Sequence, residues 1–260
     1  MKVFGIPGIV LLRHVACVAI AYMLASSASS EDLSNSEVPF VGCPADGQVG
    51  PLKPPEGMDI SIPIPPAVAQ RLAYYQAKKG YGVLAPRGWH CRGWYGASGI
   101  FLIVTPQMIQ PPYFPIPKIT GPAVYVGTLD AGTSGRIGVA ITAARLFSKN
   151  TYEFVEKIKG EGIWPAKDFD VKPFPADQLH YLGERQVEFT TPAGQDGLGP
   201  SGMLVASALP IRGLVAIDPD REIHSQREVD VRLPADLADL IPPIIDWGQR
   251  CVLNDQVCLK

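Results

Sequence analysis

The sequence predicts an α+β domain built on a mainly antiparallel sheet, with a few short helices and many turns. Glycine and proline number 26 each in 260 residues, a balance that favours turns over a helical bundle. The last third carries short strand-like runs bounded by turn residues. Helical and strand patterns neither alternate strictly, as a parallel α/β sheet requires, nor separate into blocks.

The first segment reads as an export signal. Lys2 and Arg13 are the only charges before Glu31, Val15 to Leu24 is an unbroken apolar run, and Ala25 to Ser30 are all small. This is the pattern of a signal peptide cut near Ala28. A membrane anchor is the rival reading, but Arg13 and His14 interrupt the apolar stretch, and a charge at mid-bilayer costs roughly 3 kcal/mol. The expected organisation is a signal peptide over 1–28, a Pro-rich leader over 29–65 and a single domain over 66–260. The expected product is periplasmic or secreted, with no membrane attachment after cleavage.

Seven prolines from Pro39 to Pro65 crowd the leader too closely for helix or central strand. A helix is expected from about Pro66 to Lys79, opened by proline in its first turn, with Val68, Leu72 and Tyr75 on one face and Gly80 as its cap. Gly99 to Thr105 and Ala123 to Leu129 read as buried strands. Six prolines between Pro106 and Pro122 make that stretch an extended surface loop. Ile137 to Phe147 fits helix better than strand, and Asn150 with Glu153 resembles a capping box for a second helix through Lys159. Strands are expected at Gln186 to Thr191, Met203 to Leu209, Ile211 to Ile217 and Glu228 to Leu233. In the last, Val229, Val231 and Leu233 alternate with charges. A short helix at Ala235 to Leu240 ends before Pro242 and Pro243.

The whole chain carries 23 basic and 25 acidic residues. Removing Lys2 and Arg13 leaves 21 against 25, a net charge of −4, which gives no basic excess for nucleic acid. Cys43, Cys91, Cys251 and Cys258 remain after export. An even number in an oxidising compartment argues for two disulfides; three pairings are allowed, and loop economy favours Cys43 with Cys91 and Cys251 with Cys258. No CxxC pair and no histidine spacing supports a metal site, and no cofactor motif is present.

The densest constellation of functional side chains is Arg87, Trp89, His90, Arg92, Trp94 and Tyr95. Flat apolar faces beside fork-shaped donors suit stacking on a sugar ring or gripping an anionic group. The competing reading is a disulfide-anchored loop whose aromatics plug the core. A Gly-x-Ser-Gly pattern occurs at Ser98, Ser134 and Ser201; it serves as a tight turn or, beside His90, His180 or His224, presents a nucleophile. His90 lies only eight residues before Ser98, too close for the two walls of a protease cleft. The loop Thr191 to Gly202 lacks the lysine of a phosphate-binding loop. Glu184, Glu188, Asp218 and Asp220 form no acid/base pair and read as solvated.

The segment Pro86-Arg-Gly-Trp-His-Cys91, with Tyr95-Gly-Ala-Ser-Gly99, Gly132-Thr-Ser-Gly135 and Thr191-Pro-Ala-Gly-Gln-Asp-Gly-Leu-Gly199, resembles exported proteins found in many proteobacteria. The resemblance covers most of the mature chain and implies export from a bacterial cell; it implies no activity. The expected function is therefore a non-catalytic exported module that binds a glycan, an anionic small molecule or another envelope component. A serine hydrolase acting on wall peptide, ester or glycan is the alternative.

Overall fold

A computed structural model describes residues 35–111, 114–218 and 225–254. In chain order the strands are β1 (Asn35–Val38), β2 (Phe40–Cys43), β3 (Ala45–Gly47), β4 (Ile60–Pro63), β5 (Leu72–Ala77), β6 (Val83–Pro86), β7 (His90–Tyr95), β8 (Gly99–Thr105), β9 (Ala123–Asp130), β10 (Gln178–Gly183), β11 (Gln186–Thr191), β12 (Ile211–Ile217) and β13 (Ser225–Arg232). The α-helices are α1 (Pro66–Ala69), α2 (Arg136–Gly160) and α3 (Ile241–Trp247). This is the α+β class the composition predicts.

Eight strands form one sheet in the order β10-β11-β12-β13-β9-β8-β7-β3, with every neighbouring pair antiparallel except β3 and β7. Both faces are covered. Leu102, Val104, Val124, Val126, Leu214, Val229 and Val231 point to one side, where β2, β5, β6 and α3 pack. Ile103, Tyr125, Val187, Phe189, Val215 and Ile217 point to the other, under α2. The period-2 alternation of a strand sends successive residues to opposite faces, so each strand serves two cores.

Several elements depart from the sequence expectation. The supposed leader carries β1 to β4, so residues from Asn35 onward belong to the body of the domain: β1 pairs with β4, and β2 lies parallel to β5. Its prolines fall between and at the ends of these three- and four-residue strands, where the missing N–H costs little. The helix expected over 66–79 is one turn only. From Leu72 the chain is strand β5, hairpinned to β6, and Gly80, at φ +84°, serves that turn rather than a helix end.

The two helices expected around residue 148 are one, kinked where Phe147 leaves helical geometry at φ −132° and ψ 26°. Asn150 does not cap; its side-chain amide donates to the Glu184 carbonyl at 2.9 Å. The Thr151 hydroxyl donates to the Phe147 carbonyl at 2.9 Å, satisfying backbone at the kink. Met203 to Leu209 is not a strand; Leu204 forms an isolated bridge with Ile119, outside the named strands. The stretch from Ala235 to Leu240 is a 3-10 helix that runs on into α3, with Pro242 and Pro243 in the first turn. There proline is tolerated, because the N–H groups it lacks have no intrahelical partner. No helix among the described residues is long and apolar enough to cross a membrane.

Cys43 and Cys91 form a disulfide at 2.03 Å, with their Cα atoms 5.4 Å apart. The bond ties the end of β2 to β7, as loop economy favours. Cys251 is also disulfide-bonded; Cys258, its expected partner, lies outside the described residues, as does the segment expected to be the signal peptide.

Candidate functional site

A cleft of about 320 Å³ opens between α2 and the helix-facing side of the sheet. Phe101, Tyr125, Gly127, Thr128 and Leu129 line it from β8 and β9. Gly138, Ile141, Thr142 and Arg145 line it from α2, and Phe174, Leu198 and Gly202 from loops. Gln226 and Glu228 enter from β13. That volume is at the small end of ligand pockets. The room comes from sequence: Glu228 sits opposite Gly127 in the ladder, and a Cβ on Gly127 would stand 2.1 Å from the Tyr125 hydroxyl. Any side chain there would close the space.

The floor is polar because of the register of β13. Gln226, Glu228, Asp230 and Arg232 follow one another at every second residue on the face turned towards α2. The Gln226 amide donates to Glu228 Oε2 at 2.9 Å. Glu228 and Asp230 are hydrogen-bonded to each other. Burial pushes the Asp230 carboxyl well above the usual carboxylate range; the Glu228 charge adds to the shift and Arg232 opposes it. Glu228 is also raised by burial, with the hydrogen bonds from Asp230 and Gln226 pulling it back. Both carboxyls are thus raised and joined by a hydrogen bond, so the pair as a unit holds a proton above the usual carboxylate range. Burial, then the charges of Glu228 and Asp230, also pushes the neighbouring Tyr125 phenol well above its ordinary value.

Two acceptors in this group have no hydrogen-bond partner, Gln226 Oε1 and Asp230 Oδ1. The cations nearby are committed elsewhere. Arg232, fully buried, donates to the carbonyls of Gly121, Val205 and Ile119 at 2.8, 2.6 and 2.8 Å. Arg145 donates to the Lys172 carbonyl at 2.7 Å, and its guanidinium lies 4.0 Å from the centre of the Phe174 ring. Burial lowers its pKa, and its carboxylate partner is Asp177 rather than Glu228. Asp177 in turn accepts from the Thr191 hydroxyl at 2.6 Å and the Leu198 amide at 3.0 Å. It thereby fixes the glycine-rich loop that forms the cleft rim.

The aromatic segment singled out in the sequence does not converge on one surface. Five of its six residues fall in or beside β7, whose alternation separates them. Trp94 is buried, 2% exposed, in the helix-side core, whereas Tyr95, 7% exposed, faces the opposite core. The Tyr95 hydroxyl donates to the Gly50 carbonyl, and Lys79 Nζ stands 4.7 Å from its ring centre. Arg92 is half-buried and His90 exposed on β7. Trp89 is half-buried, and its backbone N–H donates to the Tyr75 hydroxyl at 3.1 Å. Arg87 donates to the carbonyls of Leu72 and Ala69, both at 3.2 Å, which satisfies the end of α1.

Ser98 and Ser134 are exposed turn residues, and the Asp130 amide donates to the Ser98 carbonyl at 3.1 Å. His90 and Ser98 stand at opposite ends of β7, roughly 20 Å apart along an extended strand. His180 lies on edge strand β10, at the far side of the sheet from β7. His224 and the Ser201 side chain lie outside the described residues, as does Asp220. Glu188 and Asp218 are ion-paired rather than solvated, with Arg212 and Arg227 respectively. Among the described residues, no group of three or more His, Cys, Asp and Glu is placed to hold a metal ion.

Nothing local in the sequence marks the cleft by itself, because valine alternating with charge, as in β13, is equally the pattern of a strand with one face in water. The signal available was Gln226, Glu228 and Asp230 at period 2 beside the glycines Gly127 and Gly213. No known protein family matches the chain, nor does any curated protein or solved structure.

Proposed function

We propose that this protein is an exported, non-catalytic module that binds a small ligand in the cleft between α2 and the sheet. The observation that supports it is the floor of that cleft, where Glu228, hydrogen-bonded to the buried Asp230, and the unpaired amide oxygen of Gln226 line a space open to small molecules. Buried polar groups without partners are rare and costly unless something supplies the missing bonds. The Cys43–Cys91 bond is consistent with an oxidising compartment, and the export signal read at residues 1–28 agrees with it. Under this reading the six residues from Arg87 to Tyr95 act as scaffold around the disulfide rather than as the binding surface.

The test is ligand-observed NMR on the mature protein with a mixed library of neutral, cationic and anionic fragments, repeated on Thr142→Trp. Thr142 is a half-covered wall of the cleft on α2, so an indole there fills the space without touching the carboxyl pair. Fragments that bind the parent and are lost in the variant carry the reading. Absence of any such fragment overturns it.

A further inference from the structure

Resting on that reading, we infer that the cleft takes a small monoamine, whose ammonium group docks on Glu228 and Gln226 while its apolar body lies between Phe101 and Ile141. Three observations carry it. Glu228 has no cation beside it among the described residues: the influences on it are burial, Asp230 and Gln226. Arg232 and Arg145 are held by carbonyls, an aromatic ring and Asp177. Arg232 acts on Asp230 and not on Glu228, so Glu228 is the carboxylate of the cleft lining without a cation partner among the described residues, in surroundings where water screens poorly.

The second observation is Gln226, 5% exposed, which lines the same cleft and leaves Oε1 without a donor. Its amide is already committed to Glu228, so what the site lacks is donors. A primary ammonium has three N–H donors and a positive charge, enough to meet the Glu228 carboxylate and Gln226 Oε1 together. A hydroxyl has one donor and leaves the charge unmatched; a carboxylate adds a second negative charge.

The third is the wall opposite. Phe101, stacked on Tyr125 with ring centres 6.1 Å apart, and Ile141 offer apolar surface for a hydrocarbon body. Glu228 is the one carboxylate among the lining residues, so a second ammonium would go unpaired there and a diamine is a poorer fit than a monoamine.

The experiment uses phenethylamine, 2-phenylethanol, phenylacetate and p-xylylenediamine, titrated into the mature protein while the side-chain amide of Gln226 is followed by ¹H–¹⁵N NMR. Phenethylamine is expected to bind at least about tenfold more tightly than the other three, as a charge-assisted hydrogen bond warrants, and to shift the Gln226 amide signals. Glu228→Gln keeps the shape of the site and is expected to lose about tenfold for the amine alone. Equal binding of amine, alcohol and acid overturns the inference and leaves the cleft-binding reading standing. An amine that binds without moving the Gln226 signals, or that fails to bind while other fragments do, overturns it as well. Should Glu228→Gln not fold, the parent's Gln226 shifts and the ranking of the four probes decide the matter on their own.

Discussion

Trp94 and Tyr95 are adjacent in the chain and bury their rings on opposite sides of the eight-stranded sheet. A single peptide step thus anchors β7 in both cores, and the two residues cannot form one stacking platform.

Trp94→Ala is expected to cost about 3 to 5 kcal/mol, as removal of a large buried ring does, and Trp89→Ala clearly less because Trp89 is half-covered. Tyr95→Phe removes only the bond to the Gly50 carbonyl and is expected to cost about 1 kcal/mol. Urea unfolding of the three variants beside the parent checks the order. Equal losses at Trp89 and Trp94 would contradict the placement of the two rings.

The carboxyl pair gives stability a definite pH dependence. The folded-state pKa of Asp230 is raised by burial, so the native state keeps a proton that the unfolded chain releases above about pH 4. Its contribution is fully present below that pH and is lost as pH rises towards the folded value, with a slope of at most about 1.4 kcal/mol per pH unit for one proton. Asp230→Asn supplies a permanent donor to Glu228 and removes that slope. Between pH 5 and 8 the parent is expected to lose more stability than the variant in parallel denaturant titrations; identical slopes would place the proton elsewhere.

Arg232 is a clamp as well as a charge. Its fork meets three carbonyls from two loops, and lysine, with a single nitrogen, cannot span them. Arg232→Lys should therefore destabilise by about 3 kcal/mol although the charge is kept. Amide exchange should quicken at Ile119 and Val205, whose backbone N–H groups bond Met203 and Ile119. A near-neutral result would mean that the loops hold without it.

Replacing Cys43 and Cys91 together by serine opens a crosslink spanning 48 residues. The chain-entropy relation puts the loss at about 4 kcal/mol. Intact mass of protein recovered from the periplasm reads two things at once. The expected product begins within Ala25 to Glu31, and its four remaining cysteines resist alkylation without reductant. Retention of the first 28 residues would instead support a membrane anchor.

The strands that read clearly in the sequence, β8, β9, β11 and β12, are β-branched runs closed off by Pro106, Gly121-Pro122, Pro192 and Pro210, punctuation that survives any tertiary context. β5 was obscured because Leu72, Ala73, Tyr74 and Tyr75 are all buried. A strand covered on both faces shows no alternation, and Val68, Leu72 and Tyr75 then fall by coincidence on a helical spacing. β13 misled in the opposite way. Its alternation of valine with charge is the pattern of a half-solvated strand, yet α2 covers the charged face. That burial turns Gln226 and Glu228 from surface residues into the floor of a cleft, with Asp230 buried beside them. Nothing local in the sequence reports a second layer overhead. The disulfide was legible because, of the three pairings four cysteines allow, 43 with 91 and 251 with 258 closes the shortest loops.

The pairing of β9 with β13 sets a limit on when this protein can fold. Val124 stands opposite Val231, so the middle of the sheet joins segments more than a hundred residues apart, and β9 lacks this neighbour until β13 has been made. Loop closure over that distance is slow compared with local hairpins. A nascent or truncated chain would expose β9 as a long apolar edge, the kind of surface that templates aggregation.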